Sequence, residues 1–206
     1  QTDRLLADAR SDRFIADFTD QWLDLRKIDA TQPDLRMYPE AREHLKHSMI
    51  DETRAYLREL ITHDLSVTHL VKSDFAMINE KLAKHYGIPG VKGAEWRRVE
   101  KVAEYGRGGM LGFGAVLAKQ SAASRTSPVK RGAWVVQMLG ERLPKVPPDV
   151  PPLPEIPPAG LSVREITERH RKDPNCAGCH IRIDPFGMTL EQFDALGRLR
   201  TAKELK

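Results

Sequence analysis

The sequence predicts a mainly α-helical fold: a helical domain over residues 1–143, a proline-rich linker over 144–159, and a small C-terminal segment over 160–206. Three observations carry this reading. Apolar residues in the first half recur at three- and four-residue spacing, the period of one helix face. Eight of the fourteen prolines crowd into residues 144–158, where locked φ angles and missing N–H groups disfavour helix and sheet alike. Beyond them, Ser162-Val-Arg-Glu165 and Asp173-Pro174 carry the start signals of two further helices, the second holding both cysteines of the chain.

Taken in order, Phe14, Ile15, Phe18, Trp22 and Leu25 fall on one helical stripe that ends at the break Thr31-Gln-Pro-Asp34. A longer helix is expected from near Pro39. It places Leu45, Met49, Tyr56, Leu57, Leu60 and Ile61 on one face and Glu52, Arg54 and Arg58 on the other. Short helices are expected at Val67–Lys72 and Asn79–Tyr86, the latter ending on Gly87, which tolerates the left-handed conformation of a helix terminus. Glu95–Val102 is the only stretch that alternates like a strand, so little sheet is expected. Residues 107–120 are glycine-rich and then apolar, which suggests a tight turn leading into a buried helix. A turn at Ser124–Pro128 follows, with Pro128 in the first turn of a helix over Val129–Leu139 and Trp134 inward. The proline-rich stretch favours an extended polyproline strap, and Val146, Val150, Leu153 and Ile156 between its prolines suit packing on this protein itself. The capped helix after it runs to about Arg171.

Composition excludes several classes. Hydrophobic residues make up 40% and charged residues 30% of the 206, the balance of a soluble globular chain. No apolar run approaches the ~20 residues that a transmembrane helix needs. The chain opens on Gln1-Thr-Asp-Arg-Leu-Leu, which reads as the middle of a charged helix, so a longer precursor is expected. The net charge of +4 is small, and its positive centre lies at residues 106–143, with six cationic residues against Glu141. No longer basic stripe interleaved with aromatics accompanies it, so nucleic acid is not an expected partner.

The two cysteines both lie in Cys176-Ala-Gly-Cys179-His180. On a helix starting at Asp173-Pro174 the three side chains project from roughly one face. Covalent haem attachment requires this adjacency: two thiols reaching two vinyl groups on one porphyrin edge, with an imidazole beneath the iron. The expectation is a cytochrome c-like haem-attachment segment carrying one haem c, with His180 as iron ligand. Because thioethers are formed outside the cytoplasm, an extracytoplasmic protein is expected. The competing readings are a redox dithiol, which ordinarily needs a βαβ context, and half of a zinc site completed by His170 and another residue.

The sixth iron position is open on the sequence alone. Met188 lies eight residues past His180, a short path around a macrocycle. His170 lies ten before it, where a loop over Lys172–Asn175 brings it over the opposite face, and Met110 is a third candidate. Residues 160–206 are thin cover for a porphyrin, so helices of the first 143 residues are expected to complete the pocket. Phe186, Leu190 and Phe193 are the local candidates to pack on the haem, and Arg125, Lys130 and Arg131 to neutralise its propionates unless they simply sit on a solvated loop. His44 and His47 are expected on the surface.

Several segments in fixed order resemble adjacent domains of unknown function in secreted, multidomain cytochrome-like proteins of planctomycetes. They are Asp12–Leu25, Leu70–Ile88, Arg107–Leu117, Ser127–Val135 and His170–Arg200. The resemblance implies an extracytoplasmic protein whose parent chain carries other domains. It also implies His170 rather than Met188 as a shared ligand, since related sequences carry His at the first position and usually Phe at the second. It supplies no substrate. The leading expectation is electron transfer with an unidentified redox partner protein. The alternatives are a peroxidase-like haem enzyme with an open sixth position, and a non-catalytic interaction module clamped by zinc or a disulfide at Cys176 and Cys179.

Overall fold

The structure, a computed structural model, describes residues 1–143, 160–202 and 204. The proline-rich strap, with Val146, Val150, Leu153 and Ile156, lies outside the described residues. The elements are α1 (Thr2–Leu6), α2 (Ser11–Trp22), α3 (Glu43–Thr62), β1 (Phe75–Ile78), α4 (Glu80–Tyr86), β2 (Arg97–Glu100), α5 (Gly114–Lys119), α6 (Pro128–Met138), α7 (Val163–Arg171) and α8 (Pro174–Thr189), joined by short 3-10 turns. The fold is mainly helical, as expected. No helix among the described residues is long and apolar enough to cross a membrane.

Most start and stop signals act as read. Asn79 caps α4 by accepting from the Leu82 N–H, and Gly87 ends it at φ +75°. Ser127 caps α6, with Pro128 in its first turn. Ser162 and Glu165 close a full capping box on α7. The turn at Met110–Gly112 leads into α5, which is buried along nearly its whole length.

Three expectations are corrected. On α2 the inward row is Ile15 and Thr19, while Phe14 and Phe18 are 56% and 44% exposed. Phe14 and Phe18 instead lie on the helix surface with ring centroids 6.0 Å apart, and Trp22, 5.7 Å from Phe18, is half-buried against the core. One residue is 100° of helix, so two four-residue rows lay side by side in the sequence, and tertiary packing chose the less aromatic one. The second correction is the strand partner of β2. β1 pairs with it antiparallel, Phe75 opposite Glu100 and Ile78 opposite Arg97. Phe75-Ala-Met-Ile78 is apolar without alternation because three of its four side chains are buried, and such a run has no readable period.

The third correction is Glu52. It is 1% exposed, and its Oε2 accepts a hydrogen bond of 2.6 Å from the Tyr86 hydroxyl, which in turn accepts from the Gly114 N–H. Arg107 lies over the Tyr86 ring, 4.0 Å from its centroid. Glu52 stands three residues after Met49 and four before Tyr56, on the buried stripe of α3, so helix geometry prevails over residue chemistry. Burial pushes its carboxyl up to about 7, against the opposing pull of Arg107 and Tyr86. A carboxyl raised in the folded state binds protons more tightly than in the unfolded chain. Its contribution is therefore most favourable below the ordinary carboxylate range and declines as pH rises to about 7. Glu52→Gln is expected to flatten that decline and to be the more stable protein at alkaline pH, by on the order of a few kcal/mol. Urea midpoints of both proteins at about pH 5 and about pH 8 check this.

The C-terminal segment joins the same core. Leu190, Phe193, Ala195 and Leu196 share one apolar cluster with Leu45, Met49 and Tyr56 of α3, Leu117 of α5 and Trp134 of α6. α8 crosses α6 where Gly132 meets the Ile183 carbonyl and Gly187 meets that of Pro128. Backbone touches backbone there, which only residues without a Cβ allow.

Candidate functional site

α8 begins where the Asp173 carbonyl accepts the N–H groups of Cys176 and Ala177, both at 3.0 Å. Cys176 and His180, one turn apart, are both buried, and Cys179 beside them is half-buried. Both thiols are free. Burial pushes the Cys176 thiol above its ordinary range, and Asp173 and Cys179 add to the effect. Among the described residues no group of three or more His, Cys, Asp or Glu side chains is placed to hold a metal ion, and the zinc-clamp reading finds no support there.

His180, 6% exposed, directs Nδ1 at the Asp184 carboxylate, 2.8 Å from Oδ1. Asp184 is 2% exposed. Among the described residues its Oδ2 has no hydrogen bond, and Arg171 of α7 stands 3.6 Å from it. Asp184 was not singled out from the sequence, although its place four residues after His180 on an expected helix was the available signal. His170, near the end of α7, packs its ring edge-on against His180, with centroids 5.0 Å apart and planes at 67°.

The other site candidates are dispersed. Met188 is half-buried two turns beyond His180 on the same helix, and Met110 is part of the main core. Leu190 and Phe193 lie in that core too, Phe193 with its ring 5.0 Å from the Arg107 guanidinium, while Phe186 is 41% exposed. Arg131 is neither on a solvated loop nor free for a propionate. It is 1% exposed and donates to the carbonyls of Leu190, Phe193 and Asp194 at 2.7, 2.9 and 2.6 Å. Lys130 is exposed, and Arg125 donates to the Thr126 carbonyl at 2.9 Å. His44 and His47 are exposed, as expected. His85, a singleton in the sequence, contacts the Leu196 carbonyl through Nε2 at 3.0 Å.

The residues present fit covalent haem. Two unpaired thiols one turn apart adjoin an imidazole whose Nδ1 is already engaged, so Nε2 is the ring nitrogen that would be left to hold iron. Fold and site together define a mainly helical protein with a Cys-x-x-Cys-His helix docked on a helical body. Residues 107–203 match the family model PSCyt3, a protein of unknown function (DUF1588), and residues 1–88 match PSD4, a protein of unknown function (DUF1592). The chain thus joins two such regions, and the first named carries a cytochrome-like label. That match takes in α5 as well as α6, α7 and α8, the last three of which pack on one another. No curated protein and no solved structure matches the chain.

Proposed function

We propose that α8 carries one c-type haem, bound through Cys176 and Cys179 with His180 as an iron ligand, and that the module transfers electrons within a longer extracytoplasmic protein bearing further domains. The observation that carries this is the placement of His180: buried, tied through Nδ1 to Asp184, one turn from the free thiol of Cys176 and next in sequence to that of Cys179. The PSCyt3 match over residues 107–203 points the same way. A bound haem supplies reversible one-electron chemistry at iron.

The rest is done by the chain. The helix sets the thiols three residues apart, so both reach in one direction. The carboxylate holds the imidazole in one tautomer, and packing against α6 holds the helix. His170 is the better second ligand. Met188 sits on the same helix as His180, about 12 Å further along its axis, whereas His170 comes from another element and already touches His180. Its ring stands closer than two metal–imidazole bonds of about 2 Å each allow, so that role requires α7 to move outward.

Material processed by haem-maturation machinery tests the proposal. The expected result is a polypeptide heavier by one haem, colour that survives acid-acetone extraction, and a sharp c-type reduced spectrum. Cys176→Ala with Cys179→Ala is expected to abolish the mass increment. His170→Ala is expected to alter the oxidised spectrum while Met188→Ala leaves it unchanged. Colourless wild-type protein with the mass of the bare chain sinks the proposal.

A further inference from the structure

We infer that Asp184 is a positioning residue that holds His180 with Nδ1 protonated and Nε2 bare and makes the ring an electron-rich ligand, favouring oxidised over reduced iron. This rests on the haem reading above and adds to it a residue and a direction of redox bias. The contact joins two side chains that are both nearly inaccessible to solvent, at 2.8 Å, one helical turn apart on α8.

Two features of the pair give it a directional effect. Among the described residues Oδ2 of Asp184 has no hydrogen bond, and its ion pair with Arg171, at 3.6 Å, is to a side chain half in solvent. The carboxylate charge therefore bears on the imidazole N–H in a region where low dielectric strengthens the contact. A histidine that donates one ring N–H to a carboxylate becomes the more basic ligand at its other nitrogen. A more basic ligand stabilises the higher positive charge on iron.

The geometry also explains why an acid is buried here at all. An aspartate on the inward face of a helix incurs desolvation, and an ion pair with Arg171 alone would be better placed at the surface. The neighbouring turns of α8 expose Ile181 while burying Asp184. Packing therefore puts the carboxylate inside beside Ile183 and leaves Ile181 outside, an arrangement that a role as partner to an iron ligand accounts for.

The first test needs no haem. In unloaded protein at alkaline pH, nitrogen-15 NMR of the His180 ring is expected to show the Nδ1–H tautomer, and finding the proton on Nε2 overturns the inference without any variant. The second compares haem-loaded wild type, Asp184→Asn and Asp184→Glu. The amide keeps the shape and offers only a neutral oxygen. The asparagine protein is expected to keep its haem and to shift the oxidised-to-reduced equilibrium at least tenfold toward reduced, a rise of about 59 mV for one electron. The glutamate variant is expected to restore most of the difference and also decides the matter should the asparagine protein not fold. Equilibria within twofold in a variant that retains haem refute the role of Asp184 and leave haem attachment standing. Wild type without haem removes both.

Discussion

Gly187→Ala is expected to loosen or release α8 from α6 and to cost several kcal/mol of stability. A Cβ at position 187 would lie 2.0 Å from the Pro128 carbonyl oxygen and 2.7 Å from its carbon. Gly132→Ala is the reciprocal change, 2.1 Å from the Ile183 carbonyl oxygen. In an open helix either substitution would stabilise by up to about 1 kcal/mol, since glycine is a poor helix former. Here the obstacles are backbone atoms, which cannot rotate aside as a side chain can. Overpacking commonly costs 1–3 kcal/mol and more when backbones must part, so the steric term wins and the sign reverses. Urea denaturation of each variant reads the loss. A helix-propensity gain in either would show that the two helices do not cross at these glycines.

Arg131→Met is expected to destabilise by about 3–5 kcal/mol, the range for removing one partner of a buried charged network. The guanidinium joins α6 to three carbonyl acceptors after α8, those of Leu190, Phe193 and Asp194, and also reaches the Ser121 hydroxyl at 3.1 Å and Glu191 at 3.6 Å. Burial pulls its pKa down to about 10, which still leaves it charged at neutral pH. Methionine fills much of the volume but leaves the Phe193 carbonyl without its donor and strips the carbonyls of Leu190 and Asp194 of one of two, the N–H groups of Phe193 and Gly197 remaining. Arg131→Lys should recover only part of the loss, because an ammonium cannot span the acceptors as a planar fork does. Chemical denaturation of both variants measures it, and a methionine variant of wild-type stability would refute the staple.

Most of the helices were readable because their signals are local. Asn79, Ser127, Ser162 and Gly87 act within a turn of where they stand, so the ends of α4, α6 and α7 follow from residue order. The main face of α3 is readable, but its start, at Glu43 rather than near Pro39, and the side on which Glu52 lies are not. β1 escaped notice because a fully apolar run of four carries no period. Of the site, the spacing of Cys176, Cys179 and His180 was plain in the text, and the spacing of Asp184 was equally available but was passed over.

Short-range order by itself settled the helical class, the caps, and the cysteine–histidine pentapeptide on a helix of its own. These depend on neighbours three or four residues apart, and the chain cannot separate such neighbours. Only the tertiary structure decided that Arg131 is a buried staple, that Leu190 and Phe193 belong to the main core, that Phe14 and Phe18 face outward, and that His170 meets His180. Those outcomes turn on which helix faces meet across the fold, and a glycine crossing between residues 132 and 187 is set by shape complementarity that no local spacing encodes.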